Sequence, residues 1–147
     1  MQLVSLDETK KPLCEASFPI KPEVIEEMAR IMKENSGIGL AAPQVGYYQT
    51  FFIGDLGKGR FVCANPKIYV NAKKVRVRRF EEGCLTVPGE RRWVERFDKI
   101  RLRGFNEEGK PFDWTCIGKL AQVVQHEMDH LKGRCIVDEI PEEASAA

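Results

Sequence analysis

The only two histidines in this chain stand four residues apart, in Gln125-His126-Glu127-Met128-Asp129-His130. In a helix, side chains at i and i+4 share a face about one turn apart, so both imidazoles of this H-E-x-x-H spacing converge on one point. Two neutral imidazoles so placed can hold a divalent metal. Glu127 lies close enough to act as general base on a metal-bound water. The flanking residues suit a helix. Leu120, Val124, Met128 and Leu131 recur at three- and four-residue steps, Lys132 falls in the last turn, and Gly133 can cap the end. A buried amphipathic helix with two hydrogen-bonded histidines would also show this stripe. It would not require helix, base and ligand spacing to coincide.

With 147 residues the chain suits a single domain over 1–147, with a tail from about 138 onward. Hydrophobic residues make up 43% and charged residues 31%, and the formal net charge is +1. That balance points to neither a nucleic-acid partner nor an anionic membrane. No apolar run approaches the roughly 18–20 residues a bilayer span needs. The N-terminus turns acidic at Asp7-Glu8, too early for a secretory signal. Cys14, Cys63, Cys84, Cys116 and Cys135 are odd in number and form no C-x-x-C pair, which argues for a reducing cytoplasm rather than a disulfide framework.

Residues 1–20 read as an arm over the body, anchored by Pro12, Cys14, Phe18 and Pro19. Pro22 then opens a helix over 22–34. Val24, Ile25, Met28, Ile31 and Met32 form its apolar stripe, and Asn35-Ser36-Gly37 stops it. In Gly37-Ile38-Gly39-Leu40-Ala41-Ala42-Pro43-Gln44, two glycines allow the backbone a close approach, and only Gln44 offers both a donor and an acceptor. A plain glycine-rich turn into a strand is the bland reading. Strands are expected at 49–53, 60–64, 67–70, 74–78, 92–97, 99–103 and 110–115, with turns at Asn65-Pro66 and 106–109. In 74–78 the alternation predicts inward valines and a solvated charged face. A last extended piece is expected at 135–140. The pattern of helix, antiparallel strands and helix predicts an α+β domain, its strands packed around a central metal-binding helix, with an N-terminal helix beside them.

A catalytic site of this kind needs a third protein ligand and an open position for water. Cys84 is the best candidate, since Gly83 permits an unusual turn before it. Cys14 lies in the arm, Cys63 and Cys116 sit in apolar strands, and Cys135 is a poor reach only five residues past His130. A buried thiol remains a serious competing reading of Cys84. A Cys/His/His set broadens the choice of metal toward Fe²⁺, Co²⁺, Ni²⁺ or Zn²⁺.

Three stretches, Gly37 to Gln44, Glu82-Gly83-Cys84-Leu85 and Gln125 to His130, closely resemble the three signature motifs of the peptide deformylase family, in order and at similar separations. The resemblance runs from about the first helix to about Asp138. It implies one divalent metal, physiologically usually Fe²⁺, on Cys84, His126 and His130. It implies hydrolysis of the formyl group from the N-terminal methionine of nascent polypeptides, with Glu127 as base and then acid. The metal, the Gln44 amide and the Leu85 N–H would stabilise the charge developing on the formyl oxygen. Ile38 and Gly39 would pair with the substrate backbone, Arg91 could contact it, and an apolar pocket near Val123 would hold the methionine side chain.

Some residues depart from the pattern. Thr86 stands where the second motif usually has Ser, and Lys119 and Gln122 occupy a helix turn that is usually more apolar. Many bacterial members continue past Asp138 into a helix associated with ribosome docking. Here the resemblance implies transient ribosome association not made by the tail, as in short family members, some viral. The expected location is bacterial cytoplasm or, for a viral member, host cytoplasm. Two other functions fit the H-E-x-x-H helix: a zinc peptidase and a metal-stabilised module that binds N-termini without turnover. The first leaves the other two motifs unexplained, and Glu127 counts against the second.

Overall fold

A computed structural model of the chain describes residues 1–138; the expected tail beyond Asp138 lies outside the described residues. Helix α1 spans Pro22–Glu34, with Pro22 at its start and Glu23 in its first turn. Its stripe of Val24, Ile25, Met28, Ile31 and Met32 is buried, as the periodicity predicts. The amide of Asn35 caps the Ile31 carbonyl (2.8 Å), and the Gly37 N–H closes on that of Met32 (2.8 Å).

Seven strands follow: β1 Gly39–Ala41, β2 Phe51–Asp55, β3 Arg60–Tyr69, β4 Val77–Glu82, β5 Arg92–Phe97, β6 Lys99–Phe105 and β7 Pro111–Ile117. A short 3₁₀ turn, Ala42–Val45, separates β1 from β2, and helix α2 covers Lys119–Leu131. Five strands form one antiparallel sheet in the order β1-β2-β3-β6-β7, and β4 pairs with β5 in a second. This is the expected α+β class.

The large sheet lies between the two helices because β2 is apolar on both faces. Phe51 and Ile53 join the cluster containing Ile25, Met28 and Met32 of α1. Phe52 points the other way, into the cluster of Ile100, Leu102 and Cys116 with Ala121, Val124 and Met128 of α2. Helix α2 also packs on β5, so it touches both sheets.

Four local expectations are corrected. The segments 60–64 and 67–70 are one strand, not two with a turn between them. Its register shifts between Ala64 and Lys67, with Asn65 at φ 47°. Pro66 has no N–H for the ladder, and the bulge frees the Asn65 amide to bind the Ala16 backbone (2.9 Å from its N–H). The 74–78 strand begins only at Val77, which is exposed, while Arg96 opposite β4 is buried. Polar partners, not valines, fill the inner face there. In the arm, Pro12, Cys14, Phe18 and Pro19 are all exposed; Thr9, Ala16 and Ile20 are the buried anchors. Residues 136–138 of the expected extended piece form a turn.

Candidate active site

Helix α2 presents His126, Glu127 and His130 from consecutive turns. The two rings lie 5.1 Å apart at 63°. The turn after β4 brings Cys84 to them across the gap between the two sheets. Its Sγ is 3.1 Å from His130 Nε2, and the ligating atoms of Cys84, His126 and His130 all lie within 4.8 Å of one another. In a tetrahedral site with ordinary metal–sulfur and metal–nitrogen bonds the donors stand roughly 3.5 Å apart, so one ion fits among the three. Cys84 and His126 line a cleft of about 670 Å³ whose walls include Ile38, Gly39, Gln44, Arg91, Val123 and Lys119, and His130 is buried.

A network that periodicity did not disclose holds His126. Glu82, buried at the end of β4, bonds its Nδ1 (2.8 Å), leaving Nε2 free for a ligand. Arg96 grips the same carboxylate with two bonds (2.8 and 3.1 Å) and reaches Asp129 on α2 (2.6 Å). Gln122 donates a further bond to Glu82 (3.1 Å), which gives this polar helix residue a structural use. Burial alone would raise Glu82, but the bonds from His126 and Arg96 win and hold it down to about 2. The same carboxylate raises His126 against the burial that opposes it. Among the described residues no carboxylate is hydrogen-bonded to His130. Burial, with the charge of His126, pushes it down to about 3 and keeps it neutral as a ligand must be.

Glu127 is 3% exposed, and its Oε1 has no hydrogen-bond partner among the described residues; the same holds for His130 Nδ1. Burial pushes Glu127 up to about 7, although His126 pulls the other way. Gly39 lies against this carboxylate so closely that a Cβ would collide with Glu127 Oε2 and sit 3.1 Å from Val123 Cγ1. The need for glycine here is steric.

Gln44 is 2% exposed and fixed at both ends of its amide. Its Oε1 accepts the Ala41 N–H (2.9 Å), while Nε2 donates to Thr86 Oγ1 (2.9 Å) and faces Cys84 Sγ (3.5 Å). Leu85 packs half-buried against the α1 cluster. Ile38 is exposed at the head of β1, an edge strand that pairs only with β2. Arg91, at the rim, is bonded to Glu81 (2.7 Å). The geometry thus places nine of the ten predicted site residues along one cleft and the tenth, His130, buried against Cys84. It adds Glu82, Arg96, Asp129 and Gln122, whose only sequence signal was a Glu beside the Gly-Cys-Leu turn.

Cys135, expected to be a poor reach for the metal, is not among the converging ligands. It lies outside the cluster of three ligating atoms, and its thiol and that of Cys84 shift one another's protonation. That mutual influence, ahead of burial, raises Cys84 and lowers Cys135.

Comparison with known proteins places the sequence and the fold. The model of the polypeptide deformylase family matches residues 5–146. A peptide deformylase from Synechococcus elongatus, solved in complex with actinonin, is 34% identical over 99% of this chain and 84% of its own, with a TM-score of 0.87. A probable peptide deformylase from Synechococcus phage S-SSM7 is 32% identical over 95% of this chain and 99% of its own (TM-score 0.85). The enzyme from Thermotoga maritima is 32% identical over 95% and 97%, also at 0.85. No helix among the described residues is long and apolar enough to cross a membrane.

Proposed function

This chain belongs to the polypeptide deformylase family, hydrolases of formyl-Met peptides, and on that premise we propose how its residues divide the work. Cys84, His126 and His130 hold one divalent ion, Fe²⁺ in the cell, with Zn²⁺, Ni²⁺ or Co²⁺ able to replace it. The donor set suits such an ion: one thiol and two imidazoles, one of them neutral through burial and the other oriented by Glu82. Bound there, the ion supplies Lewis acidity, acidifying a water and polarising the formyl carbonyl.

The rest is the work of the chain. Glu127 takes a proton from the attacking water and returns it to the leaving amine, a task suited to a carboxyl raised to about 7. The Gln44 amide, held by Ala41 and Thr86, and the Leu85 N–H bind the oxygen on which charge develops. Ile38 and Gly39 offer the free edge of β1 to the substrate backbone, which adds as a further strand. Val123 lines the pocket for the methionine side chain, and Arg91 stands where the peptide leaves the cleft. The substrate is the N-terminus of a nascent polypeptide, met in the cytoplasm.

The observation that carries this reading is the buried, unpartnered Glu127 oxygen beside a cluster of three converging ligand atoms, two of whose residues share its cleft. Formate release from a formyl-Met dipeptide by protein loaded anaerobically with Fe²⁺ tests it, with Glu127→Ala as control. Turnover absent from the control supports metal, base and substrate together. Absence of turnover in metal-loaded wild type would instead favour a module that binds N-termini.

A further inference from the structure

The wall of the cleft carries more charge than a pocket for methionine needs, and most of it is already paired. Arg91 is bonded to Glu81 (2.7 Å), Glu90 to Arg92 (2.7 Å) and Glu82 to Arg96 (2.8 Å), while Gln122 spends its amide on Glu82 (3.1 Å). Lys119 is different. It is exposed, lines the same cleft, and makes no ion pair among the described residues. Its place along a bound peptide follows from β1 and α2. Gly39 and Ala41 turn toward α2, one against Val123 and Glu127, the other into the cluster of Ala121, Val124 and Met128. Leu40, between them, turns toward α1. A peptide added to the free edge of β1 keeps this alternation, so every second side chain of the peptide points at α2. With the methionine side chain against Val123, the next one to face α2 belongs to the third residue of the substrate, roughly 6–7 Å along the strand. On α2, Lys119 precedes Val123 by four residues and shares its face, roughly 6 Å along the axis. The direction agrees as well. His126 and His130 follow Val123 at the formyl end, so a peptide running away from them runs toward Lys119.

We propose that Lys119 is a specificity-determining residue whose ammonium selects an acidic side chain on the third residue of the substrate. The inference rests on the proposed function for the placement of the methionine. The second side chain of the substrate points away from α2 and escapes the selection. Gln122, the other polar residue on this part of α2, is held by Glu82 and leaves the choice to Lys119. A contact of this kind between solvated charges is modest and is screened by salt. It therefore ranks formyl-Met peptides against one another and leaves the requirement for the formyl group to the metal end of the cleft.

The test compares formate release by metal-loaded protein from formyl-Met-Ala-Xaa-Ala-amide peptides in which Xaa is Asp, Asn or Lys. The terminal amide removes a carboxylate that Lys119 could otherwise meet. At low salt, kcat/KM should fall from Asp to Asn to Lys by roughly two- to fivefold at each step, and added salt should flatten the order. Lys119→Met should abolish the order and Lys119→Glu should reverse it. With the same three side chains moved to the second residue of the peptide, neither variant should change the ranking seen in wild type. Equal rates across the set in wild type, an order that survives in Lys119→Met, or a Lys119-dependent order at the second residue overturns the proposal. Absence of formate from every peptide would sink the deformylase reading instead. The same order in Kd, measured by calorimetry, would then keep the Lys119 contact, and equal Kd values would overturn it.

Discussion

A buried carboxylate with an unpartnered oxygen is costly unless a proton, a cation or a reacting water meets it. Glu127 is such a group, and its position against Gly39 leaves it little room to turn away. Glu127→Gln keeps the shape and removes the base. We expect bound metal to be retained and kcat to fall by roughly 10²–10⁴, measured as formate release beside metal content. Metal lost with the activity would sink the base assignment. Because the base must be ionised, kcat should fall as pH drops. The limb should have an apparent pKa no higher than about 7, since a nearby cation lowers it further. Gly39→Ala tests the fit around the same carboxylate. Its methyl would displace Glu127 or Val123, so we expect at least a tenfold loss in kcat/KM with roughly 1–3 kcal/mol of destabilisation. Unchanged kinetics in a folded variant would show that the carboxylate needs no such confinement.

At the scale of elements, the small sheet is fastened to α2 by charge where the large sheet is fastened by apolar packing. Arg96 joins Glu82 on β4, with which it is nearly out of solvent, to the partly exposed Asp129 on α2. Removing one member of such a set strands the others, so Arg96→Met should cost about 3–5 kcal/mol in urea unfolding at neutral pH. Glu82 also gives the fold an acid limb. Its carboxyl is held at about 2 against an ordinary 4.5, so the unfolded chain takes the proton first as pH falls. Its stabilisation is complete above pH 4.5 and lost on descent to about 2, a span worth about 3 kcal/mol. Glu82→Gln should flatten that limb; an unchanged slope would assign acid unfolding to other groups. Both helices were legible in the sequence because proline, apolar period and glycine stops coincide at Pro22, Gly37 and Gly133. The motif residues were legible because the ligand spacing of α2 is local. The Arg96 network was not, because its partners lie 14 and 33 residues away and strand alternation says only that a charge should face out.

Across the whole molecule, the proposed ligands straddle a seam. Cys84 follows β4 of the two-stranded sheet, whereas His126 and His130 belong to the helix packed on the five-stranded one. A metal held by all three therefore joins two parts of the protein as well as preparing a reaction. Binding to the folded chain alone at a hundred times Kd adds about 2.7 kcal/mol, and for a chain of this size each kcal/mol moves Tm by roughly 2–4 °C. Zinc should thus raise Tm by roughly 5–10 °C and a chelator should reverse it. The shift should shrink as pH falls, because protons compete for the ligands. Cys84→Ala should lose most of it; a full shift in that variant would exclude the thiol from the site. The gain should also be unevenly distributed. On metal removal, amide exchange should accelerate in β4 and β5, which lose their tie to α2, far more than in β2 and β3, whose side chains are buried between both helices. Equal acceleration throughout would mean that the ion stabilises one cooperative body, with no special hold on the seam.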